Sequence, residues 1–197
     1  MARPPHAREK ALDAYAEILR ADGERAATID AVAARAGVSK GGVLYHFPSK
    51  EALAEALLER FHEVSEAELI EMQTDPEGPS RNYVRTSWQT SEEEDPIYRA
   101  VLRLAQSSWQ PAITAIEQIH KAWGDLVRGE VGDEAIADAI MLIGEGLYYH
   151  SAMPGTWTAG TFDHSIDDLL AVVDRLKKHA TSSSEPYPWP PSAPPTP

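Results

Sequence analysis

Apolar residues return at helical spacing along almost the whole of this chain, and that periodicity leaves room for little besides packed helices. Leu12, Tyr15, Ala16 and Leu19 fall at i, i+3, i+4 and i+7, and Ile29, Val32, Ala33 and Ala36 repeat the pattern. Each set lines one stripe of a helix, and a stripe of that kind must be buried against a neighbour. Gly23 suits the stop of the first helix, Thr28 the cap of a second, Ser39 of a third, and Ser49, after Pro48, of a fourth. The fourth helix carries Leu53, Leu57, Phe61 and Val64 on one stripe and is expected to run to about Met72. Asp75-Pro76-Glu77-Gly78-Pro79 then breaks it.

Further helices follow with clear punctuation. Residues from about 80 to 91 are weakly amphipathic, with Tyr83, Val84 and Trp88. Asp95-Pro96 supplies a cap and a first-turn proline before Ile97, Val101, Leu104 and Ala105. Pro111 opens a run with Ile113, Ile116, Ile119, Trp123 and Leu126, ended by Gly129 and Gly132. Asp133 starts Ile136, Ile140, Ile143 and Leu147, closed by Pro154-Gly155, and a last helix from about Asp163 carries Ile166, Leu169, Leu170, Val173 and Leu176. No strand-period alternation or internal repeat interrupts them, so the fold class is all-α, with about nine helices. Residues 181–197 hold seven prolines among 17 residues and too little apolar surface for a core, as in a disordered or polyproline-II tail. The division is therefore 1–50, a small N-terminal domain; 51–180, a larger helical domain; and 181–197, the tail, with the helix from 49 to about 72 linking the first two.

Charge is distributed unevenly. The net charge is −13, which at face value argues against a nucleic-acid partner. Residues 1–60, however, balance nine Lys and Arg against nine Asp and Glu, and residues 1–50 alone are net +2. All the excess acidity lies further on, so a DNA-binding face confined to the N-terminal segment survives the count. The absence of cysteine excludes disulfides, a thiolate nucleophile and Cys-bearing zinc sites. No apolar run approaches the roughly 18 residues of a membrane span, and residues 1–20 lack the apolar core of a signal peptide, so a cytoplasmic protein without a membrane partner is expected.

Residues 28–47 read as a helix-turn-helix. Small alanines on the second helix let the next approach closely, Gly37 permits the left-handed backbone of a tight turn, and Val38 plugs that turn. Val43 and Phe47 of the short third helix face inward. Lys40, Gly41, Gly42, Tyr45 and His46 are expected to face outward. Two glycines cost a helix ~1 kcal/mol each relative to alanine. On a recognition helix that cost brings the backbone close to phosphates and bases. Tyr45 and His46 have a plainer alternative, packing against the first helix.

Residues 36–53, Ala-Gly-Val-Ser-Lys-Gly-Gly-Val-Leu-Tyr-His-Phe-Pro-Ser-Lys-Glu-Ala-Leu, resemble the recognition-helix signature of TetR-type (tetracycline-repressor-like) bacterial transcriptional regulators. The resemblance covers about residues 8–60. Beyond it, the helix layout and Gly144-Glu145-Gly146-Leu147 are similar to a loose pattern in many members. It implies a homodimer whose first three helices bind an operator in double-stranded DNA. The last two long helices, about 133–153 and 163–180, would form the dimer interface, and the body would hold a small-molecule effector. Carried over by position, Thr28 and Lys50 hold phosphates, and Ser39 and Tyr45 could do the same. Lys40, Gly41, Gly42 and His46 meet base edges or neighbouring phosphates. Leu44 departs from the family, where many members have an aromatic, and Tyr45 could take over that contact.

Around an effector the expected set is Trp88, Tyr98, Trp109, His120, Trp123, Met141, Glu145 and Tyr148, each with ordinary core packing as its alternative. An acidic, aromatic-rich body could suit a cationic or amphipathic ligand through cation–π contact. His120, His150 and His164 with Glu145 lack the short spacing of metal ligands, so neither a metal nor another cofactor is expected. No phosphate-binding glycine loop, nucleophile elbow or His-Glu-x-x-His is present, and an enzyme is not expected. The competing reading is a helical, dimeric interaction module whose helix-turn-helix has lost DNA binding.

Overall fold

The computed structural model describes residues 6–89, 95–151 and 165–182. Among these, nine α-helices follow one another without a strand: α1 (His6–Asp22), α2 (Ile29–Ala36), α3 (Lys40–His46), α4 (Lys50–Thr74), α5 (Pro79–Gln89), α6 (Pro96–Gln106), α7 (Gln110–Val131), α8 (Glu134–Ser151) and α9 (Ile166–Ser182). A short 3-10 turn, Glu24–Ala26, which the spacing did not foretell, joins α1 to α2.

Helix starts follow local chemistry. The side chains of Thr28, Ser39, Ser49 and Asp95 each accept a hydrogen bond from a backbone N–H in the first turn that follows. Asp133 likewise accepts from the Ile136 N–H at 3.0 Å. Ser165 and Asp168 cap α9 reciprocally, each accepting from the other's backbone N–H. Pro154-Gly155, Asp163 and the proline-rich segment from 183 lie outside the described residues, while Thr181 and Ser182 belong to the end of α9.

Three sequence expectations change in detail. Gly129 does not end α7; it sits within the helix, and Gly132 alone caps it with a left-handed φ of 73°. The stripe Leu53, Leu57, Phe61 continues through Ser65 to Met72, leaving Val64 exposed, because the next residue on a straight 4-residue row is 65. Gly42 is buried rather than outward, since α3 lies against the domain with both Gly42 and Val43 inward.

Two apolar clusters form the core. One joins Leu12, Tyr15 and Leu19 of α1, Val32 of α2, Val43 of α3 and Leu53 and Leu57 of α4 to Val101 and Leu104 of α6 and Ile119 of α7. The second unites Met72, Val84, Val127, Ile140, Leu170 and Val173 from α4, α5, α7, α8 and α9. Trp123 packs against both. The N-terminal helices are thus not a bead on a string: α6 and the start of α7 complete their core. Between α4 and α5, Glu130 accepts from the Ser80 N–H at 2.8 Å and pairs with Lys177, fastening that turn to α7 and α9. No described helix is long and apolar enough to cross a membrane.

Candidate functional site

The outer face of α3 is built by the turn before it. Gly37 adopts φ 66°, ψ 32°, a left-handed conformation costing ~1–2 kcal/mol for a residue with a side chain. It sends the chain sharply from α2 into α3, and the Val38 N–H returns to the Ala33 carbonyl at 3.0 Å. Ser39 Oγ accepts from the Gly42 N–H at 3.0 Å and Thr28 Oγ1 from the Ala31 N–H at 3.2 Å. Each hydroxyl keeps its own proton to donate, so capping a helix and holding a phosphate are compatible roles.

Tyr45 stands 73% exposed. Its ring meets that of His46 edge-on at 5.0 Å, and His46 is half-buried. Gly41 is exposed with open space where a Cβ would project. Lys40 Nζ lies 2.9 Å from Asp30, and both side chains are solvent-exposed, so the pair is worth little and a phosphate can displace it. Lys50 is held more firmly: its ammonium donates to the Glu24 carbonyl and lies 2.6 Å from the Glu24 carboxylate, tying the start of α4 to the 3-10 turn. Of the eight positions singled out for DNA, Gly42 is the one buried; Thr28, Ser39, Lys40, Gly41 and Tyr45 are open to solvent.

A cavity of about 1230 Å³ opens among α1, α4, α5, α6, α7 and α8. Five of the side chains expected around an effector line it: Tyr98, His120, Trp123, Glu145 and Tyr148. The other three do not. Trp88 is 40% exposed on α5, Trp109 packs on the first apolar cluster, and Met141 is buried in the second. Tyr98 is the hub of the lining. Its hydroxyl and His120 Nε2 are 2.7 Å apart, and its ring lies 6.0 Å from Trp123 and 5.2 Å from Tyr148. His120 Nδ1 approaches Glu145 at 3.5 Å.

Sequence reasoning missed Glu68, Glu71, Tyr83, Asp95, Arg99 and Arg20, which also face the cavity. A signal was present for some: Glu68, Glu71 and Met72 share one side of α4 at i, i+3 and i+4, and Arg99 and Arg103 share one side of α6. Burial by the surrounding walls, with the Asp95 and Glu71 carboxylates nearby, pushes the Glu68 carboxyl up to about 7, although its surface is open to the cavity. Burial likewise raises the hydroxyls of Tyr83, Tyr98 and Tyr148, keeping them protonated donors. Among the described residues, no three His, Asp or Glu side chains converge closely enough to hold a metal ion; His164 lies outside them.

Comparison with known proteins matches this arrangement. Residues 11–57 match the family model of bacterial regulatory proteins, tetR family. No match was found among curated proteins. Among solved structures, a transcriptional regulator from Streptomyces coelicolor superposes over 88% of this chain and 99% of its own, at 20% identity and a TM-score of 0.60. A TetR-family transcriptional regulator from a Rhodococcus species covers 88% of this chain and 98% of its own, at 19% identity and a TM-score of 0.58. An ArpA-like gamma-butyrolactone receptor covers 90% and 100%, at 23% identity and a TM-score of 0.58. At these identities the structural likeness is one of fold, while the sequence match falls on the helix-turn-helix and the start of α4. Residues 11–57 are thus similar to the N-terminal domain of the tetR family of bacterial regulatory proteins, and the chain as a whole shares the fold of the solved regulators it superposes on.

Proposed function

We propose that this protein is a ligand-responsive transcriptional regulator: a homodimeric repressor that leaves a near-palindromic operator when a small molecule enters its cavity. The observation that carries the reading is the outer face of α3, where Tyr45, Gly41 and Lys40 stand in solvent on a helix pinned from behind by Val43 and Phe47. Lys40 and the Thr28 and Ser39 hydroxyls suit phosphates, which set register; Tyr45 and the Gly41 backbone suit groove edges, which carry sequence. Two such helices about a two-fold axis fit successive major grooves ~34–36 Å apart. On α8, Ala135, Asp138, Leu142 and Tyr149 form one exposed stripe, with Leu142 66% exposed, and that stripe with α9 is the proposed dimer face.

Coupling follows from the shared walls. Arg20 and Ala21 of α1 face the same cavity as Glu68 of α4 and Tyr98 of α6, and α6 packs into the core of the N-terminal helices. A ligand that prefers a different spacing of α1, α4 and α6 shifts the population away from the DNA-competent form by its differential affinity, and by no more.

Gly41→Ala separates folding from recognition. With nothing within 4 Å of the new Cβ, the free protein gains helix propensity of roughly 0.5–1 kcal/mol and melts a few degrees higher, yet retention on duplex DNA falls. A variant that is stabilised and binds duplex unchanged removes Gly41 from the interface. The reading itself is tested by the salt dependence of binding to duplex fragments of source-genome DNA. Counterion release requires affinity to fall linearly on a log–log plot as salt rises. A folded protein that retains no duplex at low salt favours the interaction module instead.

A further inference from the structure

The proposed regulator needs a ligand, and the cavity wall discriminates between chemical classes. Tyr98 lies within electrostatic reach of three carboxylates, those of Asp95, Glu145 and Glu68. Burial raises the Glu68 carboxyl most, and the further carboxylates of Asp95 and Glu71 raise it more. The arginines that line the cavity are placed differently. The Arg99 guanidinium sits over the Tyr148 ring, 5.1 Å from its centroid, and its charge acts on Asp95. Arg103 on the same helix is exposed, as Glu68 and Glu71 are, and Arg20 of α1 is half-buried on the same lining. The lining holds five carboxylates, those of Glu17, Glu68, Glu71, Asp95 and Glu145, against these three guanidiniums, and Glu68 and Glu71 form its acidic wall on α4.

Carboxylates alone make no site, but here they edge a large apolar floor. Tyr98, Trp123, Tyr148 and Tyr83 present their rings to the same space. Tyr83 is buried to 6% exposure, and among the described residues its hydroxyl reaches no closer partner than the Met141 carbonyl, a long 3.5 Å. Ring faces carry negative quadrupole potential, so aromatic walls and carboxylate edges favour the same ligand charge. The volume of about 1230 Å³ is far larger than a metal ion or ammonium requires, and exceeds the roughly 300–1,000 Å³ of pockets that take drug-sized organic molecules.

We infer that the cavity takes a lipophilic organic cation, its positive centre between Glu68 and Glu145 and its apolar body on the Tyr98, Trp123 and Tyr148 rings. Neutralising the acidic wall supplies the differential binding energy that an anionic or neutral ligand of the same size lacks. Because the Glu68 carboxyl titrates near 7, capture of a permanent cation strengthens as the pH rises from 6 to 8 and Glu68 ionises. The charged and titratable groups that share the lining with Glu68 are Glu17 and Arg20 of α1, Glu71 of its own helix, Tyr83 of α5, the cap Asp95, Tyr98, Arg99 and Arg103 of α6, His120 of α7, and Glu145, Tyr148 and Tyr149 of α8. Glu68→Gln removes the Glu68 share of that slope and leaves whatever the others contribute.

The test is calorimetric titration of the full chain, without DNA, with tetraphenylphosphonium, dodecyltrimethylammonium below its micelle concentration, and tetraphenylborate. The first and third match in size and differ in the sign of their charge. Saturable binding of at least one cation is expected, weakened about tenfold by Glu68→Gln and by Glu145→Gln and unchanged by Glu63→Gln on the exposed side of α4. The wild-type affinity should rise several-fold from pH 6 to 8, and that rise should flatten in Glu68→Gln. Equal or tighter binding of tetraphenylborate overturns the inference, as does cation affinity indifferent to Glu68→Gln, or saturation by neither cation. The inference rests on the regulator reading only for what the ligand does to DNA. If the protein retains duplex DNA but prefers the anion, the ligand class is wrong and the regulator stands. If the cations bind but duplex is never retained, the reverse holds.

Discussion

Replacing Tyr45 by alanine is expected to weaken operator binding roughly ten- to a hundredfold, leaving melting temperature, dimerisation and ligand binding unchanged. The asymmetry comes from where the side chain sits. Tyr45 is 73% exposed and its neighbours Val43 of α3 and Phe47, the residue that caps it, carry the packing, so truncation opens no cavity. What it removes is an aromatic body and a phenol hydroxyl at the centre of the recognition face. Fluorescence anisotropy on a labelled operator duplex, at one fixed salt concentration, reads the loss directly; unchanged affinity takes Tyr45 out of the interface. Its partner in the edge-on contact, His46, is half-buried and would couple any substitution to the fold, which makes Tyr45 the cleaner probe.

Gly144→Ala is expected to destabilise the fold through one added methyl group. Its Cβ would stand 2.3 Å from Tyr83 Cε1 and 2.9 Å from Ser87 Oγ, where α5 and α8 touch. The Tyr83 ring cannot swing freely: it is buried and lies against Trp123, 5.9 Å between centroids. Overpacking of this kind costs about 1–3 kcal/mol, only partly offset by helix propensity, so Tm should fall by roughly 5 °C in a domain of this size. Because Tyr83 lines the cavity, ligand affinity should fall with it. Gly129→Ala is the matched control. It lies inside α7 with no atom within 4 Å of the new Cβ, and is expected to raise stability by about 0.5–1 kcal/mol. Thermal melts of the two variants should therefore move in opposite directions; a shared direction contradicts the packing described at the α5–α8 contact.

Local chemistry made much of the fold legible in the sequence. Caps are decided within a few residues, and Thr28, Ser39, Ser49 and Asp95 all accept the N–H that their positions implied. Apolar periodicity is nearly as local, so Leu53, Leu57 and Phe61 were identifiable as a buried stripe before any partner helix was known. What failed was set by contacts distant in sequence. Gly42 looks like an outward residue on a helical wheel, and only the close approach of α3 to the rest of the domain buries it. The pairing of Lys50 with Glu24, 26 residues earlier, likewise has no signature in the sequence. Asp95 is legible as a cap, which it is, but nothing local joins it to Glu68. Their common role as cavity wall exists only because α6 crosses α4 there. Trp88 and Trp109 show the converse, since large aromatics on body helices draw attention whether or not they reach the cavity.

The central claim, a dimer that reads a two-fold symmetric DNA site, is tested most directly by sequencing the source-genome fragments that the purified full chain retains. A short near-palindrome is expected, with half-sites one helical turn or a multiple of it apart, bound by one dimer. Retained fragments sharing no sequence, from a folded protein shown to be free of small molecules, would contradict it.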